Sequence, residues 1–166
     1  MSNNRINFPD KEFTQKVGLE VLLKMEENPG MTLREATGVS DETLEEIYSL
    51  AYGFYNQGRY EESIALFQLL AGCAPTHYKY VLGLASSYHQ INAYEEAAAG
   101  FLLALQLEVT NPIPAYYAAD SFLKREMQEE ADEMAKMTID ICGTRPEYSE
   151  LKERCQLIVK SLKIKK

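Results

Sequence analysis

Tyr60-Glu61-Glu62-Ser63 recurs 34 positions on as Tyr94-Glu95-Glu96-Ala97, and again as Gln128-Glu129-Glu130-Ala131. The residues around this run keep the same offset. Upstream, Leu50-Ala51 and Phe54 match Leu84-Ala85 and Tyr88, then Ala118-Ala119 and Phe122; downstream, Phe67 matches Phe101 and Ala135. One period with small and aromatic residues in one order means that one structural unit is built three times, and the fold follows from that unit.

A 34-residue unit with this pattern is the mark of the tetratricopeptide repeat, a pair of helices joined by a short turn. Such a unit cannot bury its apolar face alone. Units stack, share a core and leave a concave groove suited to a peptide. The predicted fold is all-α: three stacked repeats, an N-terminal helical region and a C-terminal capping helix. The predicted boundaries are 1–40 for the N-terminal segment, 41–146 for the repeats and 147–166 for the cap.

Turn signals support this layout. Gln57-Gly58-Arg59, Ile91-Asn92-Ala93 and Arg125-Glu126-Met127 join the two helices of each unit. Gly58 and Asn92 stand where a left-handed residue is wanted. Pro75, Pro112 and Pro146 mark the joins between units, because proline cannot continue a helix. Before the repeats, a polar stretch to about Asp10 is predicted to be mobile. A helix follows from Lys11 to about Glu27, with Phe13, Val17, Leu19, Val21, Leu22 and Met25 on its apolar face, and Asn28-Pro29-Gly30 stops it. Thr32 to Thr37 is read as a single turn, and the last helix runs from about Glu147 to Lys163, with Leu151, Leu157, Ile158 and Leu162 apolar.

Composition narrows the function. The chain has 166 residues, 46% of them hydrophobic, enough for one domain with a real core. A net charge of −8 argues against nucleic acid, which favours a basic surface. Cys73, Cys142 and Cys155 are widely spaced and form no metal or disulfide pattern, so each is read as a buried free thiol in a reducing compartment. No apolar run approaches the roughly 20 residues of a membrane span, and no signal-peptide pattern opens the chain, so a cytoplasmic location is expected. Phosphate loops, nucleophile elbows and metal motifs are missing, so neither an enzyme nor a cofactor is expected. Glu61 and Glu62 sit at a helix start, where acids offset the helix dipole, rather than forming an acid–base pair.

Two stripes run along the first helix of each unit. Ile47, Leu50, Ala51 and Phe54 share one face at i, i+3, i+4 and i+7, as do Val81, Leu84, Ala85 and Tyr88. That stripe is core. The stripe beside it holds Tyr48, Tyr52 and Tyr55, then Leu82, Ser86 and His89, then Tyr116, Asp120 and Leu123. Three tyrosines on a face meant only for water are unexpected. Tyrosine offers large contact area with little rotamer entropy to lose, and its hydroxyl tolerates water when the site is empty. The candidate peptide-binding residues are therefore Tyr48, Tyr52, Tyr55, Leu82, Ser86, His89, Tyr116 and Leu123. A plainer alternative is that the N-terminal helix folds over these rings. The histidines, His77 and His89, are too few for a metal site and each suits a single hydrogen bond or a ligand contact.

Tyr48-Ser49-Leu50-Ala51, Gly58-Arg59-Tyr60-Glu61-Glu62, Tyr80-Val81-Leu82-Gly83-Leu84-Ala85 and Ala118-Ala119 together resemble the class II chaperones of bacterial type III secretion, the LcrH/SycD group. The resemblance extends from the N-terminal helix to Pro146-Glu147-Tyr148 and the last helix. Val81 and Asn92 depart from it, standing where the family usually has Phe and a tighter glycine turn. The resemblance implies a cytoplasmic chaperone of the hydrophobic translocators that form the secretion pore. It implies that a short extended translocator segment with spaced apolar side chains lies in the groove. It also implies a weak homodimer formed through the N-terminal helix, for which Val17, Val21, Leu22 and Met25 are the candidates. The competing reading is a generic repeat scaffold for another cytosolic protein. A binder of acidic chaperone tails would carry Lys and Asn where this chain has Tyr48 and Tyr52.

Overall fold

A computed structural model describes residues 20–164, and the chain divides into two compact units, Met1–Asp41 and Glu42–Lys166. The predicted mobile stretch to Asp10 and the helix positions Phe13, Val17 and Leu19 lie outside the described residues. In the first unit, residues 20–27 are helical (α1), and Asn28 ends the helix by donating from Nδ2 to the Lys24 carbonyl at 2.9 Å. The run read as a single turn is a short helix, α2 (Leu33–Thr37). Thr32 and Glu35 bond each other's backbone N–H groups in a capping box, and Gly38 closes the helix in the left-handed region at φ 67°.

The second unit is three helical hairpins: α3 (Asp41–Asn56) with α4 (Tyr60–Cys73), α5 (Tyr78–Gln90) with α6 (Tyr94–Leu107), and α7 (Pro112–Lys124) with α8 (Gln128–Cys142). A 3₁₀ turn, Pro146–Tyr148, leads into α9 (Ser149–Ile164). From α4 to α9 each helix packs against the next.

The 34-residue register recurs in the packing. Ala51, Ala85 and Ala119 are wholly buried, as are Ala97 and Ala131. Small residues are needed here because the helices approach closely: a Cβ placed on Gly100 of α6 would stand 2.8 Å from the Ala85 Cβ of α5. Phe67 and Phe101 fill the core of the first two units, and Ala135 takes the equivalent place in the third. A buried hydroxyl ties three helices together: Ser63 Oγ donates to the Ala51 carbonyl at 3.0 Å and lies 3.1 Å from Ser87 Oγ. Gly58, Asn92 and Glu126 occupy one position in the three turns, and all three have positive φ, at 74°, 63° and 61°.

The joins use proline as the sequence implies. Pro112 sits in the first turn of α7, where its missing N–H costs no hydrogen bond, and the Asn111 side chain caps the helix by accepting from the Ile113 N–H at 3.0 Å. In α9, Cys155, Ile158, Val159 and Leu162 fall on one face at i, i+3, i+4 and i+7 and pack into the core. Leu157, one of the apolar residues of this helix, lies off that face and is 66% exposed. All three cysteines are buried, and none forms a disulfide. Burial pushes the Cys155 thiol up to about 11.

Candidate binding groove

The tyrosine stripe becomes a wall because positions four apart on α3 stack. The Tyr48 and Tyr52 rings lie 6.2 Å apart, inclined by 17°. Tyr48 also meets Phe67 edge-on at 6.0 Å and Tyr80 at 5.7 Å, which fixes its ring from behind. Tyr52 is 53% exposed, so this ring is not core, while Tyr48 and Tyr55 are half-buried. Burial raises the Tyr48 and Tyr55 phenols above their ordinary value, keeping both neutral and able to donate.

Three pockets follow one another along the first helices of the hairpins. The first, about 150 Å³, is lined by Tyr48, Tyr52, Tyr55, Leu82 and Ser86, with Lys79 at its edge and Phe67 and Gly83 also in its wall. The second, about 60 Å³, shares Tyr55 and Ser86 and adds His89, Gln90, Phe101 and Tyr117. The third, about 340 Å³, shares Tyr117 and adds Ile113 and Tyr116 from α7 with residues of the 3₁₀ turn and α9. Tyr55 and Ser86 adjoin the first pocket to the second, and Tyr117 adjoins the second to the third, so the three form a row along the first helices.

The first pocket is mostly apolar, the second is polar, and the third mixes tyrosines with Glu147, Glu150 and Arg154. His89 Nε2 lies 2.8 Å from Asp120 Oδ2, joining α5 to α7, and the hydrogen bond from His89 holds the Asp120 carboxyl below its ordinary range. Tyr94, Phe101 and Tyr117 surround the imidazole edge-on at 5.4, 6.1 and 5.6 Å. Gln90 Nε2 donates to the Tyr55 hydroxyl at 3.4 Å. Such a surface can hold apolar side chains at separate stations and offer hydrogen bonds between them. Among the described residues no group of three His, Cys, Asp or Glu side chains could hold a metal, and no helix is long and apolar enough to cross a membrane.

Of the residues read from the sequence, Tyr48, Tyr52, Tyr55, Leu82 and Ser86 meet in the first pocket, His89 stands in the second and Tyr116 in the third. Leu123 instead packs against the core cluster and lines none of the three. His77 lies outside them too, stacked on Tyr80 at 3.9 Å. Sequence reasoning missed Tyr117, which lines two pockets and stacks on Phe101 at 5.3 Å. Its register position holds Ser49 and Gly83 in the earlier units, so the stripe gave no aromatic signal there. It also missed the pairing of His89 with Asp120, although both residues stood on the stripe.

Stacked helix pairs with a groove along their first helices define a helical-repeat binding protein, and residues 44–71 match the tetratricopeptide-repeat family. Over 139 residues the chain is 28% identical to low calcium response locus protein H of Yersinia pseudotuberculosis, covering 82% of each protein. It is 26% identical over 136 residues to chaperone protein SicA of Salmonella typhimurium, covering 81% of this chain and 79% of that one. Its fold matches that of the type III secretion chaperone SycD of Yersinia enterocolitica, solved in complex with a peptide of the translocator YopD. The TM-score is 0.72 at 26% identity, over 76% of this chain and 96% of that one. The chain is thus similar in sequence and fold to the translocator chaperones of type III secretion.

Proposed function

We propose that this chain is a cytoplasmic chaperone of type III secretion that holds hydrophobic translocator proteins by an extended segment and keeps them soluble and competent for secretion. The observation that carries the reading is the row of three adjoining aromatic-walled pockets, on a fold similar to a chaperone solved with a translocator peptide. Tyr48, Tyr52, Tyr55, Leu82, Ser86, His89 and Tyr116 contact the segment, Tyr117 joins them, and Leu123 supports the wall from the core side. Separate pockets suit an extended peptide with spaced anchors better than a continuous helix face. The chain acts by binding alone: it makes and breaks no covalent bond, and occupancy of the groove stabilises it by mass action.

The N-terminal segment, residues 1–40, forms a weak homodimer through Val17, Val21, Leu22 and Met25. Leu22, 65% exposed, and Leu23, 47% exposed, give α1 apolar surface suited to such a contact. The repeats over 41–146 hold the partner and 147–166 covers the end of their core.

Purification from the native cell, with mass spectrometry of what is retained, tests both statements. A large protein with long apolar segments should co-purify, and the chain alone should scatter light as a dimer that becomes a monomer when residues 1–28 are removed. Retention of a polar cytosolic protein instead would favour a generic repeat scaffold, and a monomer at high concentration would contradict the dimer.

A further inference from the structure

The third pocket lies between the third repeat and the last helix, and the register explains it. Adding one period to the groove positions of α7 converts Ile113 to Glu147, Tyr116 to Glu150, Tyr117 to Leu151 and Asp120 to Arg154. Those four residues, with Tyr148, are the far wall of the 340 Å³ pocket, and Ile113, Tyr116 and Tyr117 are the near wall. In the first pocket the same register positions supply Tyr48 and Tyr52 from α3 and Lys79, Leu82, Gly83 and Ser86 from α5. The helix that covers the core is therefore also the first helix of a fourth, unpaired unit, and the groove runs on across it.

The charges of this pocket are unequal. Arg154 is engaged: its Nη2 lies 2.6 Å from Glu150 Oε1, and the Tyr116 hydroxyl interacts with the same guanidinium. Arg145 is engaged as well, donating to the Thr110 and Ile141 carbonyls at 2.9 and 2.6 Å with its guanidinium 4.6 Å from the Tyr148 ring centre. Glu147 is exposed and pairs with no cation among the described residues. One uncompensated carboxylate thus stands at the rim of a cavity walled by Tyr116, Tyr117 and Tyr148, on a chain of net charge −8.

We propose that this fourth-unit pocket receives a lysine or arginine of the bound segment, to one side of its apolar anchors. The aliphatic stem lies along the tyrosine rings while the cation reaches Glu147. The idea rests on the groove reading above, which runs an extended segment along all three pockets, and deepens it by assigning the chemistry of the segment's end in the third.

The test pans a phage-displayed library of random 16-residue peptides on the full-length chain. Enriched peptides should carry spaced apolar residues and, beyond them, Arg or Lys. In a synthetic copy, replacing that residue by citrulline, which keeps the shape and loses the charge, should weaken binding roughly fivefold at low salt, the upper range for an exposed ion pair. Glu147→Gln should weaken the arginine peptide by the same factor and leave the citrulline peptide unchanged. If arginine and citrulline peptides bind alike to both proteins, or an apolar residue is enriched at that place, the basic pocket is wrong while the groove stands. If the enriched peptides bind Tyr52→Ala as well as the unaltered chain, the groove reading fails and this proposal fails with it.

Discussion

Gly83 shows how one residue shapes the first pocket. A Cβ there would stand 2.3, 2.4 and 2.8 Å from three carbons of the Phe67 ring. Phe67 is 1% exposed and braced by Tyr48, so its ring has nowhere to withdraw. Gly83→Ala should lower stability by about 1–3 kcal/mol, the usual range for overpacking a core. It should also weaken partner binding, because Phe67 is part of the pocket wall. Urea unfolding and a binding titration on one preparation check both, and an unchanged midpoint would show that the wall yields. In sequence, a helical glycine reads only as a weak helix former, so this role was not legible. The tyrosines of α3 were, because bulky aromatics on a face beside a complete core stripe need a reason.

At the scale of the element, the three inter-helix turns ask the same conformation of different residues. Gly58 adopts positive φ without strain and Asn92 tolerates it, whereas Glu126 has neither advantage at φ 61°. Glu126→Gly should raise stability by roughly 1 kcal/mol, with helix content unchanged, because the left-handed conformation costs a side-chain-bearing residue about 1–2 kcal/mol. Thermal and urea melts would show it, and a fall in stability would mean that glycine's extra freedom in the unfolded chain outweighs the relieved strain. The first two turns could be read from Gly58 and Asn92, and the third only from its register. The last helix was legible as a cap from its buried stripe. Its second role was hidden because Glu150, Leu151 and Arg154 share no residue type with Tyr48, Ser49 and Tyr52, the positions they repeat in register.

Across the whole molecule, a repeat makes the fold easy to read and the function harder. The period specifies stacked hairpins whatever their cargo, since small residues at Ala51, Ala85 and Ala119 serve any such stack. What distinguishes this chain is the surface laid over that core: aromatic pockets at both ends of the groove and the His89–Asp120 pair between them. The tyrosine stripe pointed to the row of pockets that is the candidate groove. Its length was not legible, because the groove continues through Tyr117 onto α9, and both depend on side chains brought together by packing. The central claim is that the exposed tyrosine wall, rather than general stickiness, holds the partner. The direct measurement is the affinity of Tyr52→Ala for the co-purified translocator's binding segment, with the melting temperature of the same sample. Tyr52 stacks on Tyr48 but is 53% exposed, so its removal should leave the melting temperature within a few degrees of the unaltered chain. Loss of an anchor of this kind should cost about 2 kcal/mol, or roughly thirtyfold in Kd. An unchanged Kd would contradict the account.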